Sequence, residues 1–431
     1  MASDARGVVI TGAGLVTPLG LGVEENWAGV KALRTGIGHY PKDDLPPFLQ
    51  YMGKVPQFDL PGDISHKLLG QMKFLNRGSL LGFAASREAL IHSGIDLSGT
   101  EPGRRALYVA SGDTTMVGYE FMYPAVKDAT GGKWQTMDSE KLNRATLDKV
   151  NPFFLLESIL NNLFSFLSAY LEFMGPNTTL ASHSPCGGNA LELAHRSIAR
   201  GSADVALAVG CGNWITEIPL YEMQGLGVIS RCRLGAASYR PFDKGRDGFI
   251  PGEGAAAILM EASDVAEKRK ARVLARVGGF GNSIEPPDGR ALVVPRQVSA
   301  RCMREAVEEA ECGLSDLAFV CPHGSGSLKG DRSELRSLRE VLGGKMRDVP
   351  VCGLKPYTGH LGAASDIAEV IFSVKALHEH IVPATLNFTE SEREFSDFRI
   401  TSHHQSTSER SFLSISYGIG GQSSSVVVHV S

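Results

Sequence analysis

The chain has 431 residues, of which 43% are hydrophobic and 21% charged, a composition typical of globular proteins with room for two core-sized units. Its formal net charge of −4 argues against a nucleic-acid-binding surface. Residues 1–10 contain no apolar run long enough for a secretory signal, and the seven cysteines include no C-x-x-C pair. We therefore expect a cytoplasmic protein with free thiols, no disulfide framework and no metal site.

Strand and helix patterns alternate along the chain. Short hydrophobic runs that end in a turn predict strands near 7–14, 105–112, 203–210, 255–261, 317–321 and 424–430. Stretches rich in helix-forming residues predict helices at 86–93, 190–199 and 298–311. This rhythm indicates an α/β fold. The charged segment 266–272 separates an N-terminal half, 1–263, from a C-terminal half, 264–431.

A glycine-rich turn and a long apolar stretch suggest a dinucleotide-binding loop and a membrane span, but the details of each segment argue against these functions. Gly12 and Gly14 follow the first predicted strand, but the next glycine is Gly20, so the spacing of a dinucleotide-binding loop is absent. The longest apolar stretch, 153–174, contains two carboxylates and two amides, so it predicts one or two buried interface helices rather than a membrane span.

A turn that precedes a predicted helix is the first candidate for chemistry. Residues 175–183 have strand character, Ser184 and Pro185 form a sharp turn, and a helix rich in alanine and leucine follows. At the N-terminus of a helix, free N–H groups and the helix dipole favour developing negative charge. Such a position activates a thiolate strongly and a hydroxyl only weakly.

Three polar segments rich in small residues flank other predicted strands, at 240–254, 323–334 and 355–364. They contain two histidines and a lysine, His323, His360 and Lys355. Loops at the ends of strands often converge on one cleft, so these side chains are candidates for a common site.

In these segments the chain resembles a β-ketoacyl-acyl-carrier-protein synthase of the elongating type, in the thiolase-fold superfamily. The resemblance runs from the Val-Val-Ile-Thr-Gly-Ala-Gly start at 8–14 to the Ser-Tyr-Gly-Ile-Gly-Gly-Gln end at 416–422, and includes the three polar segments. It implies a layered αβαβα architecture with two pseudo-duplicated halves, and a dimer with 151–174 near the interface and acyl tunnel.

The resemblance also implies a cysteine nucleophile, and this chain has serine at that position. The Gly-Pro that opens the preceding strand lies nine residues before the family's nucleophile, and Gly175 plus nine is Ser184. The glycine that closes the following helix lies seventeen residues after it, and Gly201 minus seventeen is again Ser184. Cys186 as nucleophile would need a two-residue shift compensated on both sides, so we interpret Cys186 as a small packed thiol.

Other roles follow from the resemblance alone. His323 and His360 match histidines that donate hydrogen bonds to the malonyl thioester carbonyl, and Lys355 matches the lysine that fixes the charge of the cluster. The remaining matched positions are two acids that brace the loops, Asp331 and Glu334, and a substrate-binding or gate set, Ser325, Ser327, Ile419 and Gly420. Ile419 replaces the usual phenylalanine, and two serines replace the usual threonines of the Gly-Thr-Gly-Thr motif.

His183 stands where an alanine is usual. Its imidazole is either a base beside Ser184 or a side chain directed to the dimer interface, and the alternation of side chains along a strand favours the interface.

The resemblance implies decarboxylative Claisen condensation of malonyl-acyl carrier protein (malonyl-ACP) with an acyl chain, in fatty-acid or polyketide biosynthesis. The partners implied are the acyl carrier protein, which delivers the phosphopantetheine so that no separate cofactor is needed, and a second ketosynthase-like subunit in a homodimer or heterodimer. Because Ser184 replaces the cysteine, three alternatives stay open: a malonyl-ACP decarboxylase, a non-condensing partner similar to a chain-length factor, and an engineered variant that traps an acyl complex.

Overall fold

The computed structural model describes residues 6–43, 45–59, 64–112, 119–157, 159, 161–182, 184–286 and 294–430. The strands are β1 (Val8–Thr17), β2 (Gly20–Leu21), β3 (Ile37–His39), β4 (Tyr51–Gly53), β5 (Arg105–Ser111), β6 (Asn177–Ala181), β7 (Val205–Asn213), β8 (Glu253–Ala262), β9 (Ala275–Ile284), β10 (Leu317–Cys321), β11 (Ile381–Val382), β12 (Gln405–Ser406), β13 (Ser411–Tyr417) and β14 (Gln422–His429). The α-helices are α1 (Val23–Lys31), α2 (His66–Met72), α3 (Arg77–Ser93), α4 (Tyr119–Ala129), α5 (Ser139–Lys149), α6 (Phe154–Glu157), α7 (Asn162–Leu171), α8 (Cys186–Ala199), α9 (Glu217–Gly225), α10 (Ser263–Lys268), α11 (Ala300–Glu309), α12 (Leu328–Leu342), α13 (Lys355–Thr358) and α14 (Ala363–His378).

The main sheet has the same pairing pattern in each half of the chain. In the first half the order is β1-β8-β7-β5-β6, with two antiparallel pairs followed by two parallel pairs. In the second half the order is β9-β14-β13-β10, with two antiparallel pairs and one parallel pair, and Val320 adds a parallel bridge to Val351. The repeated pattern agrees with the expected pseudo-duplication. Two residue pairs between β1 and β9 connect the halves.

Helices cover both outer faces and fill the space between the halves. Helix α3 packs on β1, β8 and β7, while α11 and α12 cover the strands of the second half. Helices α8 and α14 pack against each other and against strands of both halves. The layers therefore alternate helix, sheet, helix, sheet, helix, and the predicted αβαβα architecture is confirmed.

The predicted elements form, with some longer than expected. Helix α3 begins nine residues before the predicted start at 86, because the side chain of Asn76 accepts a hydrogen bond from the N–H of Ser79 (2.8 Å) and caps an earlier turn. The apolar stretch 153–174 contains two helices, α6 and α7, and Phe153 at its start is 50% exposed. Within the described residues, no helix is both long and apolar enough to cross a membrane. The predicted boundary at 263/264 falls at the start of α10.

Candidate active site

One cavity brings together residues from both halves of the chain. The predicted site residues that line it are Ser184, His323, Ser325, Ser327, His360 and Ile419. The rest of its wall is mostly apolar and consists of Trp214, Met223, Leu226, Val228, Phe249, Val294, Tyr417 and Gly418. A few convergent polar groups in an apolar cavity are typical of a ligand site.

His360 is held in place by the glycine-rich segment at 240–254. Its backbone N–H donates to the carbonyl of Ile250 (2.9 Å), its carbonyl accepts from the N–H of Gly252 (2.9 Å), and its ring stacks on Trp214 at 4.7 Å. The N–H of Gly362 donates to Nδ1 of His360 (3.2 Å). A ring nitrogen that accepts a hydrogen bond carries no proton, so this imidazole is neutral with its proton on Nε2.

His323 follows β10 and points its Nε2 at Nε2 of His360, 3.3 Å away. Burial, aided by the positive charge of Lys355 and by His360, holds the pKa of His323 well below its usual value, so this ring is neutral as well. Its Nδ1 has no hydrogen-bond partner among the described residues, so no protein group fixes the proton there. In this contact Nε2–H of His360 donates and Nε2 of His323 accepts. Since no group holds the His323 proton on Nδ1, both rings can present Nε2–H groups once a substrate oxygen takes the place of the contact.

Lys355 lies behind His323. Its Nζ donates to the carbonyl oxygen of His323 (2.6 Å) and to both carboxylate oxygens of Glu369 (2.9 Å each). Burial raises the pKa of Glu369 to about 7, although the charge of Lys355 acts against that rise. Lysine and glutamate form a buried ion pair that anchors the His323 loop, so Lys355 acts on the site through His323.

Asp331 and Glu334, both on α12, hold the same loop. The carboxylate of Glu334 accepts from the N–H groups of His323 (2.6 Å) and Gly324 (2.9 Å), and Asp331 accepts from the N–H of Gly326 (2.9 Å). Burial raises the pKa of Glu334 to about 8. The two acids satisfy backbone donors that would otherwise be buried without partners, which fits the bracing role expected for them.

The two serines of the loop use their hydroxyls internally. Ser325 donates to Asp331 (3.1 Å), and Ser327 caps α12 by accepting from the N–H of Gly330 (3.2 Å). Both residues line the cavity, where they form part of its wall beside His323.

Ile419 lies where the inner cavity meets an outer depression. The depression adds surface groups that include Lys329, and the residues that it shares with the cavity are Leu226, Val228, Val294, Ser327 and Ile419. Ile419 therefore lies between the two spaces, and its role as a gate stays a prediction. Gly420 follows with a φ of 103° and is not among the described residues that line the cavity.

Replacing Ile419 with phenylalanine is expected to narrow the passage between cavity and depression, because the ring is larger than the isoleucine side chain. We expect I419F to lower kcat/KM for long acyl chains more than for short ones. Each tenfold loss of kcat/KM corresponds to about 1.4 kcal/mol of lost transition-state stabilisation. Competition assays with a mixed-length set of acyl-ACP substrates measure this, with Ile419→Val as the matched control. Equal effects on all chain lengths would contradict a gate role.

Ser184 lies in the cavity wall and is 3% exposed. Its Oγ donates to Oδ1 of Asp366 at 3.1 Å. Gly418 approaches closely on the other side: a Cβ on this glycine would lie 2.3 Å from the carbonyl oxygen of Ser184, which explains the need for glycine there. The position predicted for the nucleophile thus faces the same cavity as both histidines.

Cys186 points elsewhere. Its Sγ donates to the carbonyl of Ser182 (3.0 Å), and its side chain packs in the central hydrophobic core. Burial, and secondarily the nearby Asp366, raise the pKa of the Cys186 thiol to about 12, which suppresses the reactive thiolate. This environment matches the interpretation of Cys186 as a packed thiol. His183 lies outside the described residues.

Asp366 is a site residue that the sequence analysis missed. It lies in the first turn of α14, where Oδ1 accepts from Ser184 and Ser416 and Oδ2 accepts from the N–H of Gly187 (3.0 Å). Burial raises its pKa to about 6. One signal was available: Asp366 and Glu369 are two acids at i, i+3 in a helix that is otherwise mostly apolar.

Comparison with known protein families identifies the family of this chain. Residues 5–266 match the family described as "Beta-ketoacyl synthase, N-terminal domain" and residues 275–389 match "Beta-ketoacyl synthase, C-terminal domain". The first match alone covers more than half of the chain, and the chain belongs to the β-ketoacyl synthase family.

Two relatives and one solved structure illustrate the likeness. The 3-oxoacyl-[acyl-carrier-protein] synthase 2 of Vibrio harveyi is 29% identical over 98% of each chain. The actinorhodin polyketide β-ketoacyl synthase 1 of Streptomyces coelicolor is 28% identical over 98% of this chain and 88% of its own. The crystal structure of a β-ketoacyl synthase from Burkholderia phymatum superimposes with a TM-score of 0.82 at 25% identity, covering 99% of this chain and 100% of that one.

Proposed function

We propose that this protein condenses malonyl-ACP with a carrier-bound acyl chain, in fatty-acid or polyketide biosynthesis, and that Ser184 accepts the acyl group. The observation that carries the proposal is the pair of neutral imidazoles whose Nε2 atoms face each other at 3.3 Å in a cavity that Ser184 also lines. Membership of the β-ketoacyl synthase family supports the reaction class.

In the first half-reaction, Ser184 takes the acyl chain. The hydroxyl oxygen attacks the thioester carbonyl, the C–S bond breaks, and the carrier thiol leaves with the proton that Ser184 gave up. The acyl chain extends along the apolar wall formed by Met223, Phe249 and their neighbours. Burial of each CH₂ group contributes about 0.8 kcal/mol, which favours acyl chains over polar ones.

In the second half-reaction, the histidines act on malonyl-ACP. Its thioester oxygen accepts hydrogen bonds from Nε2–H of His323 and His360, which stabilises the enolate formed as CO₂ leaves. The enolate carbon attacks the acyl carbonyl on Ser184, a C–C bond forms, and the C–O bond to Ser184 breaks. A proton from solvent restores the Ser184 hydroxyl, and the β-ketoacyl chain remains on the carrier.

The surroundings of the reaction are part of the same proposal. The acyl carrier protein is the partner, and its phosphopantetheine arm reaches the cavity past Ile419 from the outer depression. N–H groups supply the stabilisation of the enolate, so the proposed steps require neither a metal ion nor a diffusible cofactor. We further propose a cytoplasmic homodimer or heterodimer that uses 151–174 at its interface.

The test is a condensation assay with purified protein, a medium-chain acyl-ACP and malonyl-ACP, read by intact-protein mass spectrometry. We expect an acyl adduct on Ser184 and a β-ketoacyl-ACP product. His360→Ala is the control that removes one enolate donor, which typically lowers the rate about 10²- to 10³-fold. Formation of neither adduct nor product by the wild type would refute the proposal.

A malonyl-ACP decarboxylase is the second candidate, because the two histidines are in place while serine stands at the acyl-acceptor position. It predicts CO₂ and acetyl-ACP from malonyl-ACP without any acyl adduct. A partner subunit similar to a chain-length factor would instead depend on a second ketosynthase with a cysteine nucleophile. Activity of this chain alone on both substrates would contradict that role.

A further inference from the structure

A carboxylate touches the atom that must become the nucleophile. We infer that Asp366 is a catalytic residue that takes the proton from Ser184 during acyl transfer and returns it to the departing carrier thiolate. This inference rests on the proposed function, since it assigns a base to the acyl acceptor named there.

The contacts of Asp366 orient it for this task. Oδ1 accepts from Ser184 Oγ at 3.1 Å and also from the hydroxyl of Ser416 on β13, while Oδ2 accepts from the N–H of Gly187 in the first turn of α8. These three donors, from a turn, a strand and a helix, fix the carboxylate in one orientation. Helices α8 and α14 approach each other closely here, since a Cβ on Gly187 would lie only 2.8 Å from Cβ of Asp366.

Serine needs such a partner, whereas cysteine does not. A hydroxyl has a pKa far above neutral and is acylated at useful rates only beside a base. The hydrogen bonds of the two imidazoles go to other groups: Nδ1 of His360 accepts from Gly362, and the two Nε2 atoms contact each other, while Nδ1 of His323 has no partner among the described residues. Among the described residues, Asp366 is the hydrogen-bond acceptor that contacts Ser184 Oγ.

The step balances in protons and electrons. As the Ser184 oxygen attacks the thioester carbonyl, its proton moves to Oδ1 of Asp366 and a tetrahedral oxyanion forms. When the C–S bond breaks, the sulfur departs with the bonding pair and takes the proton back from Asp366. The products are a serine ester and a free carrier thiol, and Asp366 ends as a carboxylate.

The local charges leave this carboxylate ionised at neutral pH. Burial raises the pKa of Asp366 to about 6, while its hydrogen bonds and the charge of Lys355 oppose the rise. Among the described residues, the other titratable groups that interact with its charge are Glu369 on the same helix and the thiol of Cys186 on α8. The base is therefore available above about pH 6 and is lost as the pH falls below that value.

A double-mutant cycle tests the assignment. Single-turnover acylation by acyl-ACP is measured for the wild type, Asp366→Asn, Ser184→Cys and the double variant, with malonyl-ACP decarboxylation measured in parallel as a check on the histidine site. In the serine background we expect D366N to slow acylation by about 10²- to 10⁴-fold, the usual contribution of a general base. In the cysteine background we expect no loss or a gain, because removing a nearby negative charge favours the thiolate.

A structural role of Asp366 at the start of α8 predicts a different outcome. It would lower acylation by the same factor in both backgrounds, and that result would overturn the inference while leaving the proposed function intact. Absence of any acylation in the wild type would remove the proposed function itself.

A milder variant covers the case in which D366N does not fold. Ser416→Ala keeps the carboxylate and removes one of its donors, which raises the pKa of Asp366. We expect the acid limb of the acylation rate profile to move to higher pH. An unchanged acid limb would contradict a base at position 366.

Discussion

Ser184→Ala is expected to abolish condensation while malonyl-ACP decarboxylation continues. Alanine removes the acyl acceptor and leaves the two imidazoles with their Nε2 atoms 3.3 Å apart, so only the first half-reaction loses its chemical group. Loss of a nucleophile typically lowers the rate by roughly 10³-fold or more. Product formation from acyl-ACP and malonyl-ACP, and release of CO₂ from malonyl-ACP alone, measure the two half-reactions separately.

Cys186→Ala is the matched control for that experiment. Cys186 lies two residues away, packs in the central core and is not part of the described cavity wall. It should keep condensation, with a modest loss of stability from the smaller side chain. If C186A abolished the acyl adduct and S184A kept it, the nucleophile would be the cysteine and the position assigned to it would be wrong.

Lys355→Met is expected to cause the largest loss of stability. The ammonium and the carboxylate of Glu369 are 1% and 3% exposed, so each charge has lost its hydration and depends on the other. Without Lys355, Glu369 must either stay charged without a partner or take up a proton, and breaking a buried ion pair in this way typically costs about 3–5 kcal/mol. Urea unfolding followed by intrinsic fluorescence reports the loss as a lower midpoint.

Lys355→Met combined with Glu369→Leu separates the ion pair from the packing around it. With both charges gone and similar volumes retained, we expect much of the lost stability to return. The carbonyl of His323 would still lack its Lys355 donor, so decarboxylation should remain impaired in the double variant. A double variant no more stable than K355M would argue against an isolated buried charge as the cause.

The predictions for the fold succeeded because they used local patterns. β-branched runs, glycine turns and helix-forming stretches are read within about ten residues, and such segments form the same elements in the tertiary structure. The start of α3 was missed because it depends on a cap at Asn76 rather than on hydrophobic periodicity. His323, Lys355 and His360 could be predicted as candidates because each lies in a distinctive loop motif.

The position of Ser184 was also available from the sequence, since two counts from flanking glycines agree on it. The groups that surround Ser184 in the structure could not be predicted from the sequence. Asp366 is 182 positions away and is brought to Ser184 only because α14 packs against α8 in the central layer. The partnership of Lys355 with Glu369, and the stacking of Trp214 on His360, likewise depend on how α14 and the loops meet.

By itself, then, the sequence determined the α/β class, the two halves and the identity of the residues whose side chains are candidates for catalysis. The tertiary structure decided which of them share a cavity, which nitrogen of His360 carries the proton, and which carboxylate contacts the acyl acceptor. The physical reason is that side-chain type and local periodicity are properties of short segments. Hydrogen bonding, burial and pKa depend on neighbours that only packing brings together.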